Sequence, residues 1–357
     1  MQGDRAMRRA GQVLVFFLAV FGIFFSGSAG SAEVSRLSNR TLDVLVGFSN
    51  TGGGANFWRV FSDALKRHLP ETTIRARFDD TLSGAQVTSD LFALPAGSLA
   101  VAFVRPPDVA FAQSHKREGV AYDLRKAQWI AGVEKEPFIM VARRSLPVEP
   151  NALRASAKQP ILPVSDMLTT QATAGVLLNA VTGIPAKIVV GFKNSERLKA
   201  VLVGDADFYT AAVDAELVPL LKSGDVQSLY MIVGETFPPE VNPGRTLEAF
   251  LLPDVPPAVV DFIRAARGMG RAFMAAPSLP QEDVSALRAA FTATLADPAF
   301  LAEAKAMGVP VTMVEHSSAE EQVRRLLPDD PAIQAKIDNA YACGLAMSEG
   351  SQRACKF

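Results

Sequence analysis

An α/β architecture in two lobes, closing on a cleft between them, is what this sequence predicts, and three observations carry it. Short apolar strands alternate with helical patterns, the alternation occurs in two successive units, and a late apolar strand, Phe273 and Met274, returns to the first. At 357 residues the chain also exceeds what one hydrophobic core usually covers. A hydrophobic fraction of 49% excludes wholesale disorder. Balanced charge, 36 Lys+Arg against 37 Asp+Glu, with 8% aromatics leaves no basic footprint, so nucleic acid is not an expected partner. Two cysteines and three histidines leave little material for a metal centre, and no cofactor or metal is expected.

The N-terminus reads as a secretory leader. Arg5, Arg8 and Arg9 precede an apolar run from Val13 to Phe25, then small residues through Ala32. A permanent anchor is the rival reading, but that run falls short of the roughly 20 residues needed to span a bilayer. Residues 1–32 are therefore expected to be removed, with Ala29 the alternative cleavage point, placing the mature chain in the periplasm. Cleavage removes Asp4 and the three arginines, leaving a formal charge of −3. Export permits disulfides, so Cys343 and Cys355, close in sequence, are expected to close a loop rather than remain free thiols.

The elements follow in order. Leu42 to Phe48 reads as a buried strand, and Ser49 to Asn56 as a turn. Trp58, Phe61, Leu65 and Leu69 repeat at helical spacing. Thr72 to Phe78 and Leu99 to Val104 read as strands around a helix at Gly84 to Leu94, and Arg105-Pro106-Pro107 ends the second of them. Short connections make this a parallel sheet covered by helices. A second unit follows: strands near 129–131, 138–141, 159–164, 187–191, 207–209 and 226–233, with a helix capped within 165–170 and continuing to Thr182, and helices at 195–203 and 217–222. Helices at 258–268, 280–295 and 298–307 then accompany the returning strand. The expected division is 41–140 for the first part of lobe 1, 141–240 for lobe 2, 241–327 for the return to lobe 1, and 328–357 for a tail.

Two helix starts carry the chemistry. Gly52, Gly53 and Gly54 follow a strand and open a helix, where missing side chains admit a ligand to the backbone and free amides attract anions. A plain strand–helix turn is the alternative, and neither dinucleotide nor phosphate-loop fingerprints are present. Ser165, Thr169 and Thr170 offer hydroxyls and amides at the second start, or serve only as its cap. In open α/β sheets ligands bind beyond the C-terminal strand ends, where both starts belong. Expected ligand contacts are Ser49, Asn50, Thr51, Gly52, Gly53, Gly54, Asn56, Ser165, Thr169, Thr170 and, beside a structural alternative, Asp207. His68, His115 and His316 sit among charged neighbours and read as surface residues. No nucleophile–base pair can be assembled, so no catalytic residue is expected.

Several stretches resemble the Bug, or TctC-like, receptors of tripartite tricarboxylate transporters. They are the triple glycine, Gly191-Phe192-Lys193-Asn194-Ser195, Gly204-Asp205-Ala206-Asp207, and Ala276-Pro277-Ser278-Leu279-Pro280. After the last come Leu287-Arg288-Ala289-Ala290-Phe291, Ala296-Asp297-Pro298-Ala299-Phe300 and Met307-Gly308 in the family's order. The resemblance covers residues 42 to 327. It departs at Asn56, where the family carries an acidic residue, and in the loop from Pro163 to Thr170. The resemblance implies a periplasmic-binding-protein-like clamp that captures a small organic anion, a carboxylate, for membrane transporter subunits, working as a monomer. A TAXI-type receptor, a sensory subunit for a membrane kinase and an exported enzyme are the alternatives.

Overall fold

The computed structural model describes residues 34–51, 53–133, 137–167, 169–213, 216–234, 241, 244–268, 270–307, 311–351 and 355–357. The expected leader, 1–32, and Gly52 lie outside the described residues. The first unit runs Thr41–Val46 (β1), Gly53–His68 (α1), Thr73–Phe78 (β2), Ala85–Ala93 (α2), Ala100–Val104 (β3), Pro106–Ser114 (α3) and Gln128–Val133 (β4). β1 pairs parallel with both β2 and β3, as short strand–helix–strand connections require. Pro106 and Pro107 begin α3 rather than merely ending β3, because a missing amide hydrogen is harmless in a helix's first turn.

The second unit contains Phe138–Arg143 (β5), Pro150–Arg154 (α4), Ile161–Pro163 (β6), Thr170–Thr182 (α5), Lys187–Val189 (β7) and Asn194–Val203 (α6). Phe208–Ala212 (β8), Leu217–Ser223 (α7), Val226–Val233 (β9) and Arg245–Thr246 (β10) complete it. Its main sheet has the order β10-β9-β5-β8, with β6 and β7 paired separately.

The chain then forms Pro257–Arg267 (α8) and returns as Arg271–Ala275 (β11), Gln281–Leu295 (α9), Pro298–Ala306 (α10), Met313–Val314 (β12), His316–Leu326 (α11) and Pro331–Ser348 (α12). β11 inserts antiparallel between β3 and β4, giving the first sheet the order β12-β4-β11-β3-β1-β2. The result is the expected α/β protein of two lobes.

Aromatic packing fixes α1 on the first sheet. Phe57, Trp58 and Phe61 face inward at helical spacing, and Phe103 and Phe273 stack with ring centroids 4.3 Å apart beneath them. The lobes also share apolar packing, since one continuous cluster runs from Val104 and Trp129 through Phe262 to Leu177 and Tyr230. α8 bridges them, touching α5 and β9 on the second lobe and α3 and α11 on the first.

α12 lies along α5, whose residues are almost all buried. The two backbones meet closely: a Cβ at Gly344 would stand 1.9 Å from the Val176 carbonyl oxygen. Cys343 and Cys355 are joined, Cα atoms 5.8 Å apart, which ties the last residues back to α12. Closing so short a loop contributes about 3 kcal/mol in the chain-entropy account. Gly344→Ala is expected to force the helices apart and lower stability by about 1–3 kcal/mol. A urea titration checks this; an unchanged midpoint means the helices do not meet there.

Candidate functional site

The turn after β1 is held by its own polar groups. Ser49 Oγ donates to the Thr51 carbonyl at 2.7 Å, while Arg59 donates to the Asn50 carbonyl at 2.6 Å and to Asn56 Oδ1 at 3.0 Å. Asn56 is thereby turned toward Arg59 on an exposed face. The two described glycines do different work. A Cβ on Gly54 would lie 2.5 Å from the Phe48 ring, so Gly54 lets α1 pack against the strand end. A Cβ on Gly53 would lie 3.1 Å from Arg271 Nη2, so Gly53 leaves room for a guanidinium beside the first amides of α1. Those first-turn amides have no acceptors within their own helix.

Arg271 belongs to a group of arginines gathered from distant parts of the chain. Arg105 is the residue after β3 and Arg271 the first of β11. Ala272 pairs antiparallel with Val104, so continuing the register places Arg271 opposite Arg105. Like charges at facing positions on neighbouring strands repel. Arg267, the last residue of α8, is 5% exposed and its guanidinium lies 3.9 Å from the Phe138 ring centroid, at the start of β5. Arg197 on α6 is 4% exposed and sits 5.6 Å from the Tyr209 ring. The Arg267 Nε has no hydrogen-bond acceptor among the described residues.

Electrostatics binds the group into one unit. Burial, then the charge of Arg105, pushes Arg267 and Arg271 each down to about 9, and Asp108 opposes the shift at Arg267. Burial also lowers Arg197, with Tyr209 opposing and Arg105 adding to the fall. Values near 9 leave Arg267 and Arg271 protonated at neutral pH, so burial leaves them as costly cations rather than neutral groups. Such an arrangement attracts an anion.

The second helix start meets this group through Asp108, in the first turn of α3. Thr170 is buried at the first position of α5, and its hydroxyl donates to Asp108 Oδ1 at 2.6 Å. That bond joins the two lobes. Thr169 caps α5 by accepting from the Ala172 amide at 3.2 Å, and its hydroxyl donates to the Asp166 carbonyl. Ser165 is exposed, and its carbonyl accepts from the Gly191 amide at 3.2 Å. A run of neighbours, Arg271, Arg105 and Asp108, thus leads from Gly53 to Thr170.

Asp207 does not join them. It accepts from Arg143 Nε on one oxygen and from the Ile161 amide on the other, at 2.5 and 2.9 Å. Asp207 precedes β8, and Arg143 ends β5, five positions from Phe138 and so about 16 Å along the strand from the Arg267 contact. His68 contacts Asp297 on the outside of the first lobe, as its surface reading implies.

Of the four arginines, Arg105 alone carried a sequence signal, its place at the C-terminal end of a strand. Arg197, Arg267 and Arg271 resemble ordinary basic residues near helix and strand ends. Arg267→Met keeps much of the stem packing while removing a buried cation. It is expected to stabilise the ligand-free protein by about 1–4 kcal/mol. Thermal unfolding without added anions checks this; a fall in midpoint means the charge is already compensated.

No family model and no curated protein matches the chain. Solved structures match over most of it. A TctC solute-binding protein from Polaromonas, without ligand, is 17% identical with a TM-score of 0.65, covering 84% of this chain and 98% of its own. MatC from Rhodopseudomonas palustris, with bound malate, is 16% identical with a TM-score of 0.56, covering 85% and 99%. Rpa4515 of R. palustris, with adipate, is 18% identical with a TM-score of 0.58, covering 85% and 97%. The chain therefore has the two-lobed α/β fold of the TctC-type solute-binding proteins that its motifs resemble.

Proposed function

We propose that this chain is an exported, non-enzymatic solute-binding protein that captures a small organic anion and delivers it to a membrane transporter of the tripartite class. The observation that carries the reading is the set of buried guanidiniums at the lobe junction, beside the start of α1 and linked to the start of α5 through Asp108. A carboxylate there replaces lost hydration of the cations with charge-assisted hydrogen bonds. The malate and adipate of the two R. palustris proteins are carboxylates and support the same ligand class here. Contacts are assigned to the turn from Ser49 to Gly54 and to the loop from Ser165 to Thr170. Lobe closure gives the differential affinity, because ligand groups reach both lobes only when these approach.

A thermal-shift screen of mono-, di- and tricarboxylates tests the reading, since a ligand at a hundred times its Kd adds about 2.7 kcal/mol to stability. At least one carboxylate is expected to raise the midpoint. Gly53→Val should weaken its binding by displacing Arg271, and Thr170→Val should weaken it by releasing Asp108. Absence of any shift across the screen, or unchanged affinity in both variants, removes this site.

Export has its own check. Intact-mass measurement of periplasmic protein is expected to give a chain beginning near Glu33. A full-length chain held in the membrane overturns the periplasmic assignment.

A further inference from the structure

We propose that α12 is a strap across the back of the molecule that holds the two lobes near one another before any ligand binds. The inference goes beyond the anion-receptor reading and stands on the fold alone. The tail from 328 to 357 lies outside the stretch whose motifs resemble the receptor family. It is nevertheless built into both lobes. α11 packs on β4 and α3 of the first lobe, whereas α12 packs on α5 and touches β7 of the second. The chain therefore crosses between the lobes a third time, through Leu327 to Asp330.

The place of this crossing gives it leverage. The first two crossings are neighbours, because Arg271 pairs with Val133 where β4 leaves the first sheet. The third begins at the opposite end of that strand. Asp329 accepts from Arg125 Nη1 at 3.1 Å, and Arg125 lies three residues before β4. The two ends of β4 are about 17 Å apart. A rotation of the lobes about the first two crossings therefore pulls against the third.

Both lobes grip the helix. The Tyr341 ring stands edge-on to the His115 ring, with centroids 6.0 Å apart. His115 follows α3, about 10 Å along the helix axis from Asp108 at the candidate site. At the far end of α12, Ser348 Oγ accepts from the Ile188 amide and Gln159 Nε2 donates to the Met347 carbonyl, each at 2.8 Å. The Cys343–Cys355 bond closes that end on itself. Gly344 meets Val176 with no room for a side chain, so α12 and α5 move as one body. Since α5 starts at Thr170, a restraint on α12 is a restraint on the second helix start of the site. One exposed ion pair contributes little by itself, so the covalent crossing and the packing on α8 carry most of the restraint. Lobes held near one another raise the fraction of molecules competent to bind across the cleft, and the apparent Kd falls in proportion.

Double electron–electron resonance on the mature full chain tests this without ligand. Spin labels are placed at Glu71→Cys on the first lobe and Lys222→Cys on the second, both exposed. A protease site inserted between Asp329 and Asp330 leaves the Arg125 pair on one side of the cut. The Asp330 cap, which accepts from the Ala332 amide, stays on the other. The uncut protein is expected to show one narrow distance. Cutting it after folding should add a longer-distance population, and Tyr341→Ala in the cut protein should enlarge that population. An unchanged distribution in the cut Tyr341→Ala protein, with the circular dichroism of the uncut chain, overturns the strap and leaves the receptor reading untouched. Loss of the 330–357 fragment on gel filtration with the lobes still at the same distance does the same. A broad distribution in the uncut protein also overturns it, because the lobes then move freely with the strap in place.

Discussion

Holding several guanidiniums out of water near the junction of the lobes is the constraint on which the rest of the molecule depends. Each buried cation works against folding by several kcal/mol unless partners replace its hydration. The scaffold must therefore supply more apolar packing around the cluster than the cluster removes. It does so on every side. The stacked rings of Phe57, Phe61, Phe103 and Phe273 lie beneath the β3–β11 pair. The shared core that joins α8 to both lobes surrounds Arg267. Aromatic faces at Phe138 and Tyr209 give partial relief without neutralising any charge. The Arg267 Nε keeps no acceptor among the described residues.

The position of Arg267 gives it mechanical reach. The chain crosses between lobes from β4 to β5 and again from α8 to β11. Arg267 closes α8 at the second crossing and stacks on Phe138, which opens β5 after the first. A group bound to Arg267 therefore acts on both crossings at once. The Thr170–Asp108 bond also joins the lobes, so the proposed anion binding and lobe closure would draw on the same few side chains.

Much of the fold was legible because its strands are apolar and its helices periodic. The run from Leu42 to Phe48 and the Trp58, Phe61, Leu65 and Leu69 stripe could hardly be read otherwise. α12 was harder to see because its inward positions are Ile337, Ala340, Gly344 and Met347, a stripe with little apolar contrast. The site was legible only in part. Gly53 and Thr170 are candidates named from local chemistry at two helix starts, whereas the arginines proposed beside them carry no local signal, since topology alone brings residues 105, 197, 267 and 271 near one another. Asp207 shows the limit of local reading. Its motif places it at the beginning of β8, a strand antiparallel to β5, where its carboxylate is taken up by Arg143 and the Ile161 amide.

The insertion of β11 between β3 and β4 has a consequence for how the chain is made. Among the described residues every strand of the second lobe lies between Phe138 and Thr246, so its sheets come from one uninterrupted stretch, with α12 added last. The first sheet cannot close until Arg271–Ala275 has left the ribosome, and until then β3 and β4 each lack the neighbour that separates them. Open strand edges in a waiting half-sheet are templates for wrong pairing. The lobe synthesised first thus waits for a strand that the chain delivers only after the sheets of the second lobe have been made.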